Sequence, residues 1–140
     1  MNEGYLADTL HWRNASRKAF LDSRKLTMKE HCKWFEQYSK RDNDHMFIIE
    51  WNGEPAGQLS IYSVKGKTAE FGRMVLGEKY RGKGIAHLAL RILLAYLYDF
   101  TLRLVVKAGN KRAIRLYEDC GFHSQHCRGG LVYMEREAQR

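Results

Sequence analysis

The apolar residues of this chain change their spacing several times, and each change marks an element. Residues 6–20, "LADTLHWRNASRKAF", put Leu6, Leu10 and Trp12 on one side of a helix. A clearer helix covers 27–39, with Met28, Cys32, Phe35 and Tyr38 at helical spacing and Thr27 and Glu30 forming a capping box. The period then drops to two. "HMFIIEW" (45–51) is β-branched and aromatic, and Asn52-Gly53 after it is a strong hairpin signal. "AGQLSIYS" (56–63) pairs back, Lys65-Gly66 turns the chain, and "TAEFGRMVL" (68–76) makes a third strand. From Gly84 the helical period returns, with Ile85, Leu88, Ala89, Ile92, Leu93 and Tyr96 on one face. A short strand (102–106) precedes a helix capped by Asn110 and stopped at Gly121. Residues 122–127 and 131–137 close the chain as a hairpin around Gly129-Gly130. The order α-α-β-β-β-α-β-α-β-β predicts an α/β (α+β) domain with helices on the faces of a mixed sheet.

Composition narrows the class. A chain of 140 residues makes one domain, 1–140, and 44% apolar with 29% charged residues is ordinary for a soluble globular protein. No run reaches the roughly 20 apolar residues of a membrane span. The first residues lack the pattern of a secretory signal, and Cys32, Cys120 and Cys127 are odd in number and widely spaced. A cytoplasmic protein without membrane contact is expected. The formal charge of +8 attracts polyanions. These could be nucleic acid, an anionic membrane or a phosphate-rich small molecule; the basic residues are scattered and no base-reading motif stands out, which argues against nucleic acid. Cys120, His123, His126 and Cys127 are close in sequence, but Gly121-Phe122 divides them and no second ligand pair is present, so no metal is expected.

The candidate chemistry begins at "YRGKGIAHLAL" (80–90), where the third strand leads into a helix. N–H groups at a helix start have no partner inside the helix, and the helix dipole adds positive potential. A pyrophosphate can sit there if no side chain blocks it. Gly82 and Gly84 remove the blocking Cβ atoms, and Arg81 and Lys83 add charge. An ordinary tight turn with a solvated basic face is the plainer alternative. The spacing is not that of a P-loop, and a dinucleotide fingerprint would need glycine where His87 stands.

Arg81-Gly82-Lys83-Gly84-Ile85-Ala86 resembles the R/Q-x-x-G-x-G/A signature of the GNAT superfamily of N-acetyltransferases. After one further strand come Asn110-x-x-Ala113-x-x-Leu116-Tyr117 and Gly121-Phe122, the second half of that pattern. The resemblance covers about residues 8–135. It implies the GNAT fold, a mostly antiparallel sheet splayed between the strands around 68–76 and 102–106. It implies acetyl-coenzyme A as cosubstrate, its pyrophosphate on residues 81–86 and its pantetheine beside Met74 and Leu76, with Asn110 contacting cofactor or substrate. Tyr117 matches a tyrosine used as general acid toward the departing thiolate; taken without the flanking motif it reads first as an aromatic on a buried helix stripe.

Glu70 is the candidate base. Period-two counting puts it on the face of Met74 and Leu76, and it stands eleven residues before Arg81, which resembles the placing of a glutamate base in histone-type members of the superfamily. A solvated strand carboxylate is the alternative, and Glu50 is a weaker rival. The same counting sends Arg73 to the other face, where it binds an anion or is exposed. Gly72 marks a candidate bulge.

The resemblance implies an amine acceptor, and a small-molecule amine is the expected one. W-R-N (12–14) and E-H-x-x-W-F (30–35) look like the GNAT branch that acetylates nucleotide-linked amino sugars of the pseudaminic acid type. That resemblance implies Arg13 and Asn14 for a nucleotide diphosphate and Trp34 or Phe35 for an apolar wall; core packing is the plainer reading of each aromatic alone, and Arg73 is a further candidate substrate contact. The W-R-N helix also resembles ribosomal-protein N-terminal acetyltransferases, and a non-catalytic coenzyme A-binding module is the remaining alternative. Family members usually begin with a strand, for which residues 1–5 leave almost no room. The first edge strand is therefore expected to be missing or short, and an open edge makes a homodimer one expected assembly.

Overall fold

A computed structural model describes residues 1–139. Its helices are α1 (Leu6–Ala15), α2 (Met28–Ser39), α3 (Ile85–Tyr96) and α4 (Lys111–Asp119). Its strands are β1 (His45–Trp51), β2 (Glu54–Lys65), β3 (Thr68–Leu76), β4 (Thr101–Lys107), β5 (His123–Arg128) and β6 (Leu131–Arg136). The strands form one sheet in the order β1-β2-β3-β4-β6-β5. Only β3 and β4 run parallel, because α3 carries the chain back between them. The alternation of β4 buries Leu102, Leu104 and Val106, which pack with Phe71, Phe122 and Met134 beneath Leu90 and Leu94 of α3. α1 and α2 lie on the opposite face, against β2 and β3.

Three expectations need correction. The first helix ends at Ala15, and a 3-10 turn follows at Arg17–Ala19. Residues past Ala15 offer no apolar face, and Arg13 instead draws the following loop in through its carbonyls. Helix α2 turns His31 and Tyr38 inward and leaves Met28 44% exposed. Polar-tipped rings can be buried when each tip has a partner. The His31 ring nitrogen lies 2.8 Å from Thr9 Oγ1, and Tyr38 Oη accepts from the Met46 amide at 3.0 Å. Helix α3 buries Ile85, Leu90 and Leu94, whereas Leu88, Ile92 and Tyr96 are half-exposed or more. These side chains line a groove with Phe47, Ile49 and Trp51 of β1.

No strand precedes α1 among the described residues, and the outer edge of β1 has no strand partner. The Met1 ammonium donates to the Met46 carbonyl there at 3.0 Å. No helix among the described residues is long and apolar enough to cross a membrane.

Candidate active site

β3 and β4 pair only at Thr68–Thr101, Ala69–Leu102 and Glu70–Arg103. Beyond Glu70 the strands part, and each keeps its outer neighbour: β4 stays with β6 and β3 with β2. The β3 wall carries a bulge. Ser60 faces Gly72 while Gln58 faces Val75, so β3 has one residue too many for β2. Arg73 sits in it with φ of 53°, a left-handed conformation unusual for a residue with a side chain. Gly72 lies under the Tyr62 ring; a Cβ there would stand 2.9 Å from the Tyr62 hydroxyl.

The extra residue reverses the alternation of β3. Met74 packs with the Phe71 cluster, and Leu76 packs with Ala56, Tyr80 and Ile85. Glu70 is opposite Tyr62 on the other face, and Arg73 reaches the same Tyr62 ring at 4.6 Å. Glu70 and Arg73 therefore share a face that Met74 and Leu76 do not, contrary to the period-two count. Glu50 lies two strands away on β1, where its carboxylate meets the Tyr5 hydroxyl at 3.5 Å.

The loop after β3 is open. Gly82 and Gly84 have φ of 76° and 77°, and a Cβ added at either would meet nothing within 4 Å. Gly84 is the residue before α3, and the N–H groups of the first turn, at Ile85 and Ala86, have no partner inside the helix. Arg81 ties the loop down: Nε donates to the Leu76 carbonyl at 3.2 Å and Nη2 to Ser16 Oγ at 2.7 Å. Lys83 is exposed beside it. On the other wall, Lys107 Nζ donates to the Lys18 carbonyl at 2.7 Å. A bare backbone concavity with two nearby cations fits a diphosphate.

Tyr117 stands on α4, which Asn110 caps by accepting from the Ala113 amide at 3.3 Å. The ring meets Phe71 edge-on at 5.8 Å and Phe122 at 5.9 Å. Burial, with a smaller contribution from nearby Tyr62, pushes its phenol up to about 12. The group is thus a neutral proton donor throughout the neutral range. Glu70 is exposed at the fork of the split. It borders a cleft of about 310 Å³ shared with Tyr62, Arg103, His126, Tyr133 and Glu135. His126 stacks on Tyr133 at 4.4 Å, and Arg103 reaches Glu135 at 3.5 Å. Sequence reasoning missed this cleft, although the outward positions of strands 56–63 and 131–137 contain Tyr62, Tyr133 and Glu135.

Four of the residues expected at the acceptor are engaged inside the fold. Arg13 is buried, and its guanidinium donates to the carbonyls of Asp22 and of Arg24. Asn14 bonds both the N–H and the C=O of Leu26 at 2.8 Å. Trp34 stacks between His31 and Tyr38. Arg73 is paired with Asp44. Among the described residues, no group of three or more His, Cys, Asp or Glu could hold a metal ion.

The sequence matches the model of the acetyltransferase (GNAT) family over residues 7–122. It is 27% identical to spermidine N(1)-acetyltransferase of Escherichia coli K12 over 94 residues, which are 63% of this chain and 50% of that protein. It is 29% identical over 116 residues to an uncharacterized N-acetyltransferase of Methanocaldococcus jannaschii, 76% of this chain and 51% of that one. The chain thus spans about half the length of these curated relatives. Among solved structures, spermidine N-acetyltransferase of Vibrio cholerae in complex with CoA and spermine superimposes with a TM-score of 0.84 at 18% identity, covering 99% of this chain and 92% of that chain. Ribosomal-protein-alanine N-acetyltransferase of Brucella melitensis gives 0.78 at 20% identity, covering 98% and 96%. The parted strands and the open glycine loop are joined by a family match across most of the chain: this protein belongs to the acetyltransferase (GNAT) family.

Proposed function

We propose that the chain transfers an acetyl group from acetyl-coenzyme A to a primary amine of a small molecule. The observation that carries this reading is the split between β3 and β4, which opens beside a side-chain-free helix start. The amides of residues 82–86 hold the pyrophosphate, with Arg81 and Lys83 adding charge. Acetyl-coenzyme A, when bound, supplies the activated thioester. Met74 and Leu76 offer main-chain groups along the split, and the Met74 N–H polarises the thioester oxygen as it gains negative charge. Glu70 takes a proton from the amine, directly or through water, and Tyr117 gives one to the thiolate that leaves. Asn110 holds the helix that carries Tyr117.

For the acceptor, the cleft at Glu70 favours a cationic aliphatic amine, because Glu70 supplies an exposed carboxylate and Tyr62 and Tyr133 supply aromatic faces, while Glu135 is paired with Arg103. Relatives named for spermidine support that class. The nucleotide-linked amino sugar is the second reading. It rests on the W-R-N and E-H-x-x-W-F segments, and a diphosphate there would have to displace the internal bonds of Arg13 and Asn14. An N-terminal peptide is the acceptor suggested by the ribosomal-protein branch.

Calorimetric titration with acetyl-coenzyme A tests the proposal; absence of binding at roughly tens of micromolar removes it. Thiol release with spermidine, spermine, UDP-amino sugars and N-terminal peptides then ranks the acceptors. Tyr117→Phe is expected to lower kcat about 100-fold while the dissociation constant for acetyl-coenzyme A stays within about twofold. An unaltered rate excludes the acid role.

A further inference from the structure

Asp44 is almost fully buried, yet it lies just outside β1, next to the exposed His45. Its carboxylate receives two bonds from Arg73, at 2.7 and 3.0 Å, and one from Arg41 at 2.9 Å. Burial raises its pKa, but the hydrogen bonds and charge of Arg73, and then of Arg41, overcome this and hold the carboxyl below the usual range. The Arg73 guanidinium is also enclosed by aromatic faces, 4.6 Å from the Tyr62 ring centre and 5.5 Å from that of Trp34. Its Nη1 lies 3.4 Å from Ser60 Oγ. The Arg73 carbonyl accepts from Gln58 Nε2 at 2.9 Å. Side chain and main chain of one residue are thus both clamped, and that residue has the left-handed backbone of the bulge.

We propose that the Asp44–Arg73 pair is a positioning device for acetyl transfer: it holds the bulge of β3 in its left-handed turn and so aims the Met74 main chain into the split. The role rests on the acetyltransferase reading. A non-glycine residue avoids φ near +53° unless its surroundings over-determine it. Here the over-determination comes from Asp44, Tyr62, Trp34 and Gln58, which reach the bulge from the loop before β1, from β2 and from α2. Arg73, expected to bind substrate, instead acts through its neighbour Met74. A donor displaced by about an ångström loses much of its effect on the transition state.

Comparing Arg73→Gly with Arg73→Ala tests this. Both remove the ion pair and the stacking, and both leave Arg41 on Asp44. They differ in tolerance of the left-handed backbone, which glycine adopts freely. Arg73→Gly is expected to keep kcat within about fivefold of the unaltered enzyme. Arg73→Ala is expected to lose about 30- to 100-fold in kcat with KM for acetyl-coenzyme A within about threefold. Isotope-edited infrared spectra should show the bound thioester C=O stretch shifted from its free value in the first variant and returned toward it in the second. Equal kcat and equal stretch in the two variants would overturn the role while leaving an active acetyltransferase. Failure of the unaltered protein to bind acetyl-coenzyme A overturns the acetyltransferase reading and the role with it. Should Arg73→Ala not fold, Asp44→Asn is expected to lower kcat about tenfold with the same KM split, and an unchanged kcat there overturns the role as well.

Discussion

The two walls of the split, β3 and β4, are built by opposite means. β4 is regular: Leu102, Leu104 and Val106 alternate into the core, and β6 pairs with it from Leu102 to Lys107. β3 is irregular: a bulge interrupts it, Arg73 turns left-handed, and the chain beyond passes through Gly82 and Gly84 with positive φ. The straight wall is held by burial along its length. The bent wall shares that burial at Ala69 and Phe71, but its bulge is held by a few directed contacts, which act on one place. A substitution in β4 should therefore read out as stability, and one at the β3 bulge or the loop beyond it as binding or rate.

The largest effect is expected on the straight wall. Leu104→Ala removes a side chain that is 4% exposed, at a cost of about 3 kcal/mol in urea unfolding. The molecules that remain folded should bind acetyl-coenzyme A with unchanged affinity; an affinity that falls in step with stability would erase the contrast between the walls. Gly84→Val comes next. A β-branched residue at φ of 77° is strained by about 1–2 kcal/mol, and its side chain enters the phosphate concavity. Affinity for acetyl-coenzyme A, measured by calorimetry, should fall about tenfold or more, out of proportion to the shift in unfolding midpoint. The smallest effect concerns acid. A carboxyl held below its unfolded value of about 3.9 adds stability that is complete above that pH and lost as pH falls through its folded value. Asp44 is such a group, and Arg73 is the first of its two partners. Urea midpoints of the unaltered protein should fall below about pH 4 as Asp44 takes up its proton. The fall should be shallower in Arg73→Gly, and parallel acid limbs would mean that Arg73 does not set the Asp44 titration.

How much of this could be read in the chain itself differs between the walls for the same reason. The apolar run "LRLVV" is a local signal, and it predicted the strand β4; which of its faces is buried came from the structure. The glycines of the loop and the Asn110 cap are also local signals, and both stand where expected. The face of Glu70 was misjudged because one extra residue in β3 reverses every later position. Gly72 signalled that bulge, but no rule of spacing says which residue absorbs the turn. Arg13 and Asn14 look like ligands of a diphosphate in one dimension, whereas in three they satisfy the loop at 22–26. The inward face of α2 was misread in part: Tyr38 is buried as its spacing predicted, but Met28 is exposed, and His31 is buried because its ring meets Thr9, 22 residues away.

The amino-acid sequence alone determined the order of the elements, the mixed sheet and the bare helix start at Gly84, since hydrophobic period and glycine freedom act over a few residues. Tertiary structure decided where β3 bends, which face Glu70 and Arg73 share, and that Asp44, 29 residues from Arg73, is its partner. Those choices depend on contacts between distant segments. A buried ion pair or a bulge becomes favourable only once the surrounding atoms are in place to complete it.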